Sequence, residues 1–150
     1  MLLKIMERWG FLQVLPEQGN LVTMRSITDL RMKLGTSSEE QAELEMTIGV
    51  VCNECENPVE DRAKEGEKPH YYCIICDKFV DDTKGLPERT IWNSDKDVEK
   101  KIEFNRAERR IVVKAFNSLD KKEEVTAVQA LLWEKFRETY PEKNDKDDKD

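Results

Sequence analysis

Apolar residues recur along this chain at two intervals, and the change of interval separates helices from strands. Near the start, Leu3, Met6, Phe11 and Val14 fall on one side of a helix predicted over residues 2–14. Gly10 weakens that helix and Pro16 ends it. After a turn over residues 17–20, Met24, Ile27, Leu30 and Leu34 keep three-and-four spacing, which predicts a second helix over 23–34 with Gly35 as its C-cap. Ser37 and Glu40 then fit the N-cap and N3 positions of a capping box, opening a short third helix that ends near Met46. Here the pattern changes. Residues 47–51 and 71–75 are short, β-branched or aromatic, as strands are, with a loop over 65–69; residues 90–92 and 101–104 read as two further strands. Asn105 and Glu108 again suit an N-cap and its N3 acid, and start a helix to about Leu119 with Val112, Ala115, Phe116 and Leu119 inside. A last helix over 126–140 carries Val128, Leu131, Leu132, Trp133 and Phe136 before Pro141 stops it.

These elements make an α+β chain, mostly α. The polar block at residues 50–89 interrupts two amphipathic stretches, so it reads as an insertion into one helical body. The organisation expected is a helical, winged-helix-like body from residues 1–49 and 90–140, an inserted ribbon at 50–89, and a disordered charged tail at 141–150. With 150 residues, the chain suits one domain carrying a small module.

The insertion holds the clearest chemistry. Cys52-Asn-Glu-Cys55 and Cys73-Ile-Ile-Cys76 contain all four cysteines, with 17 residues between the pairs. Two CxxC pairs about 15–20 residues apart read as a zinc site, because each knuckle aims two sulfurs at one ion and two knuckles complete a tetrahedron. Disulfides and redox dithiols are the competing readings. The opening Met1-Leu-Leu-Lys-Ile-Met is too quickly charged for a secretory signal, and no βαβ pattern surrounds either pair. A closed Zn2+ shell of Cys52, Cys55, Cys73 and Cys76 is therefore expected, structural in role and in a cytoplasmic setting. After the second cysteine of each knuckle, where a left-handed residue is usual, stand Glu56-Asn57 and Asp77-Lys78; Asn57 is the expected left-handed position. His70, the one histidine, is expected in the loop or beside the site, since four thiolates already fill the shell.

Outside the insertion, several short segments share a pattern. They are Leu15-Pro16, Gly19-Asn-Leu-Val-Thr-Met24, Asp29-Leu-Arg31, Lys33-Leu34, Ser38-Glu-Glu40, Ile91-Trp-Asn93, Glu103-Phe104, Ile111-Val112, Leu119-Asp-Lys121, and Leu131 with Glu134-Lys-Phe136. In these the chain resembles a family of small, uncharacterised phage and prophage proteins. The resemblance implies shared architecture and a viral source, and it implies no activity.

Charge narrows the function classes. The formal net charge is −7. Residues 1–50 contribute −2, residues 51–90 −4, residues 91–140 +1 and the last ten −2. No segment has the basic footprint of a nucleic-acid binder, and no run is long enough to span a membrane. If the second and third helices form a helix-turn-helix, the reading helix carries Glu39, Glu40, Glu43 and Glu45, which phosphates repel. Arg106, Arg110 and Lys114 form the best basic stripe, along one face of a helix, and are expected to be solvated and balanced by nearby acids. Catalytic arrangements are missing: there is no second histidine, no phosphate loop and no distinguished carboxylate pair.

The expectation is a non-catalytic zinc protein that binds a protein partner, as an inhibitor or modulator of host machinery. Tyr72, Phe79, Glu39, Glu40, Glu43 and Glu45 are its expected partner-facing residues. A nucleic-acid-binding regulator using Arg106, Arg110 and Lys114, and a virion component, are the competitors.

Overall fold

The computed structural model describes residues 1–141. The charged run expected to be disordered lies outside them, apart from Pro141. Two compact units divide the chain: Met1–Ser37 with the chain from Asp97 onward, and Ser38–Lys96 between. The architecture is α+β and mostly α.

The first unit is helical. Strand β1 (Leu2–Leu3) pairs antiparallel with β7 (Lys100–Lys101), and helices α1 (Ile5–Val14), α2 (Leu21–Leu34), α4 (Arg106–Lys121) and α5 (Ala127–Thr139) complete it. Residues 2 and 3, expected to be helical, are therefore strand; β7 offers them a ladder that no local pattern announces. Helix starts follow local chemistry. The Asn20 side chain accepts from Thr23 N–H, and Asn105 with Glu108 closes the capping box expected of α4. Thr126 and Gln129 do the same for α5.

The unit's core gathers Leu3, Phe11, Ile27, Leu30, Leu34, Val112, Phe116, Leu132 and Phe136 with Ile102 and Phe104. Gly10 has a packing role beyond weakening α1, because a Cβ there would meet Leu132 Cδ1 at 2.4 Å. Three expected core residues lie outside: Met6, Val128 and Leu131 are exposed. Val128 and Leu131 sit three apart on a face of α5 that turns away from buried Leu132 and Phe136.

The second unit holds α3 (Ser38–Glu43), β2 (Thr47–Val50), β3 (Glu60–Asp61), β4 (Tyr71–Cys73), β5 (Lys78–Phe79), β6 (Glu88–Ile91) and a 3-10 turn at Ser94–Lys96. β2 pairs with β6, and β3, β4 and β5 form a three-stranded antiparallel sheet. The cysteine block thus reaches beyond residues 50–89. β2–β6 pairing and the bond from Asn93 N–H to the Leu44 carbonyl (2.9 Å) tie residues 44–50 to 88–93. Helix α3 belongs to this unit rather than to the body with α2. It is short and has no buried residue. Its end comes early because Glu45 adopts φ 55°, with Met46 N–H bonded to the Gln41 carbonyl and Glu45 N–H to that of Ala42.

Candidate metal centre

Each cysteine pair sits on a tight knuckle whose backbone bonds can be followed residue by residue. In the first, Cys52 N–H donates to the Asn57 carbonyl and Glu56 N–H to the Cys52 carbonyl, both at 2.9 Å. That closure needs a left-handed residue immediately after the second cysteine, and Glu56 supplies it at φ 57°. Asn57, expected to be the left-handed position, instead donates its side-chain amide to the Cys55 carbonyl at 3.1 Å. In the second knuckle Cys73 pairs with Lys78 across β4 and β5, and Asp77 is left-handed at φ 53°. Its carboxylate accepts from the Tyr72 hydroxyl.

Both knuckles turn their sulfurs inward. The four Sγ atoms lie within 4.8 Å of one another. Cys55 and Cys73 sulfurs are 3.5 Å apart, and those of Cys52 and Cys76 are 3.9 Å apart. A sulfur–sulfur bond is about 2.05 Å long, so these are free thiols and not disulfides. A tetrahedron with metal–sulfur bonds of about 2.3 Å has edges of about 3.8 Å, which the two distances bracket. Backbone amides also point at sulfur: Glu54 N–H at Cys52 and Cys76 N–H at Cys73, both 3.4 Å. Such donors favour the thiolate form that binds metal.

The proton balance is uneven. Hydrogen bonding from the Asn57 side chain and backbone lowers Cys55 to about 6. Cys76 is pushed up to about 12, first by its hydrogen bond with Cys55 and then by burial. Four thiolates this close repel strongly, and a divalent cation is what would let them coexist.

Apolar support around the sulfurs is slight. Cys52, Cys73 and Val80 are the buried residues of this cluster, with Val59 and Leu86 packed against them. A ribbon with so small a core depends on a cross-link of some kind. Lys78 to Glu54 (2.7 Å) and Arg89 to Glu56 (2.8 Å) are exposed ion pairs and add little.

The other expected residues have varied fates. His70 is outside the sulfur cluster; its ring stacks on Phe79 with centroids 4.0 Å apart. Phe79 is half exposed, and Tyr72 meets it edge-on while Arg62 covers the Tyr72 ring at 3.6 Å. These aromatics therefore pack mainly on one another. Glu39 and Glu43 are exposed, Glu40 is half-buried, and Glu45 is paired with Lys96 at 2.8 Å. Arg106, Arg110 and Lys114 lie exposed on α4, which belongs to the other unit. The sequence reading passed over Ile74 and Ile75, which are 58% and 68% exposed between the second pair of cysteines. The signal was present. A CxxC turn that points both sulfurs inward must point the two residues between them outward.

No family model, curated protein or solved structure matches the chain. The fold and site define a mostly helical α+β protein with a tetracysteine cluster suited to a metal ion.

Proposed function

We propose that this protein is a non-catalytic binding protein whose middle unit is a Zn2+ ribbon, and that this unit docks on a protein partner with a basic surface. The observation that carries the reading is the set of four sulfurs within 4.8 Å, with edges of 3.5 and 3.9 Å that suit a tetrahedral thiolate shell. Cys52, Cys55, Cys73 and Cys76 would hold the ion. A shell of four thiolates leaves no coordination position for a water nucleophile, so the ion's contribution is structural.

Charge supports the choice of partner. Residues 38–96 carry 15 acidic against 7 basic side chains, a net −8. Exposed Glu39 and Glu43 lie within this field, and so do the outward Ile74 and Ile75. An exposed apolar knuckle on a unit of net −8 suits a groove with basic rims. The resemblance to phage and prophage proteins adds a host setting. In this reading the partner is a component of host machinery, and the protein modulates or inhibits it in the host cytoplasm.

Two measurements test this. Metal analysis of freshly purified protein should find one zinc per chain, and less than half of that would remove the foundation. Capture with the zinc-loaded protein should then be lost when Ile74→Ser and Ile75→Ser are combined, with metal content unchanged. Equal capture by that variant would move recognition elsewhere.

A further inference from the structure

A second surface lies on α2, in the helical unit, and it does not depend on the metal. At about 100° per residue, Leu21, Val22, Arg25, Thr28, Asp29 and Met32 fall within an arc of about 120°. That arc lies opposite buried Ile27, Leu30 and Leu34. All six side chains are exposed. The three apolar ones stand well out in water, at 91% for Leu21, 78% for Val22 and 77% for Met32.

Nothing within the chain calls for apolar residues at these positions. The start of α2 is served by the Asn20 side chain, which accepts from Thr23 N–H at 2.9 Å, and Leu21 and Val22 add nothing to that cap. Apolar side chains left in water contribute no burial to folding. Between the apolar ends stand Arg25 and Asp29. Among the described residues, neither side chain has a hydrogen-bond or ion-pair partner. The order along the face is apolar, cation, anion, apolar, and it is centred on the level of Ile27. Arg25 and Asp29 lie two positions either side of that level, and Val22 and Met32 lie five.

We propose that this face of α2 joins two copies of the chain, laid antiparallel across a twofold axis at the level of Ile27. Each Arg25 then meets the partner's Asp29, and Leu21 and Val22 at one end meet the partner's Met32 at the other. A twofold interface must be complementary to itself, and this order of side chains is. A parallel pair would set arginine against arginine and aspartate against aspartate, so charge selects the antiparallel one. The same order disfavours a phosphate polymer, which has no use for Asp29 or for apolar ends. The contact is small. From Leu21 to Met32 the face is about 17 Å long and about 10 Å wide, far less than the roughly 800 Å² per partner of a standard interface. Association is therefore weak, with Kd on the order of 100 µM.

The test is sedimentation equilibrium of the full-length protein between about 10 µM and 1 mM, with a non-chelating reductant present to exclude disulfide cross-links. The mass should rise from one chain to two. Arg25→Asp alone and Asp29→Arg alone should each weaken the dimer about tenfold or more, because each sets like charges face to face twice. Combined, the two changes restore the pairing with its sense reversed, and Kd should return to within about threefold of wild type. Leu21→Ser with Met32→Ser, which leaves the charges alone, should also weaken it about tenfold or more. Val128→Ser with Leu131→Ser, on the exposed face of α5, should stay within about twofold. Circular dichroism checks that α2 persists in each variant. The proposal falls if the protein stays monomeric at the highest concentration, or if its mass grows beyond two chains. It also falls if the single reversals dimerise like wild type, if the combined variant fails to recover, or if the α5 variant loses the dimer.

Discussion

Lys33 Nζ donates to both carboxylate oxygens of Glu108, at 2.6 and 2.9 Å, and so joins α2 to the first turn of α4. Glu108 is buried, with 1% of its side chain exposed, whereas 40% of Lys33 is exposed. The same carboxylate completes the capping box with Asn105, so one side chain serves a helix start and an interhelical bond. Glu108→Ala should therefore cost about 1–3 kcal/mol, combining a lost cap with the loss of a charged hydrogen bond to the half-exposed Lys33. Urea denaturation of Glu108→Ala, Lys33→Ala and the double variant would measure the coupling between them. A loss below about 1 kcal/mol for Glu108→Ala would show that the pair is peripheral.

Metal removal should affect the two units differently. The ribbon has few buried apolar residues, while the helical unit has a full core. Chelation should therefore abolish the tyrosine near-ultraviolet signal of Tyr71 and Tyr72 and leave most helical ellipticity, since α3 is the only helix of the ribbon unit. Acid should do the same. Thiolates bind metal and protons compete for them, so the metal-bound form is favoured at high pH and lost as pH falls. Zinc release monitored by a colorimetric chelator should increase steadily from pH 7.5 towards 5. Release that is independent of pH would argue against thiolate ligands.

Phe11 is the centre of the helical core. Its ring lies 5.6 Å from Phe104, 6.1 Å from Phe116 and 6.0 Å from Phe136, and it is fully buried. Phe11→Ala should cost about 3–5 kcal/mol, and Phe11→Leu less than about 1.5 kcal/mol. Thermal melts of the helical signal would check both. Similar costs for the two would mean the site collapses easily around either side chain.

Acidic residues hold all four left-handed positions found outside glycine among the described residues: Glu45, Glu56, Asp77 and Glu123. Glu123 ends α4, with Glu124 N–H bonded to the Leu119 carbonyl and its own N–H to that of Asp120. Glycine carries no Cβ penalty there, so Glu123→Gly should stabilise the protein by about 0.5–1 kcal/mol. The expected readout is a melting temperature raised by a few degrees. A fall would show that the Glu123 side chain contributes more than its backbone strain costs.

How far the sequence could be read depended on the range of each interaction. Asn105 with Glu108, and the paired cysteines, act over three residues, so their spacing alone announced the cap and the cluster. Amphipathic spacing located α2 and its buried Ile27, Leu30 and Leu34 for the same reason. Where several residue types can satisfy one backbone angle, the sequence was ambiguous: Asn57 looked like the left-handed residue, but the bond from Glu56 N–H to the Cys52 carbonyl put Glu56 there. Long-range pairing was out of reach. Nothing near Leu2 and Leu3 says that Lys100 and Lys101 will extend them into a strand.

By itself, then, the sequence determined the helical segments, the Asn105–Glu108 start of α4, the Gly35 end of α2 and the grouping of four thiols, because each follows from neighbours a few positions apart. Tertiary structure decided which side chains stay in water, since exposure depends on partners far along the chain. It drew Glu108 inward to Lys33 and left Met6, Val128 and Leu131, which the helical spacing placed inside, in water.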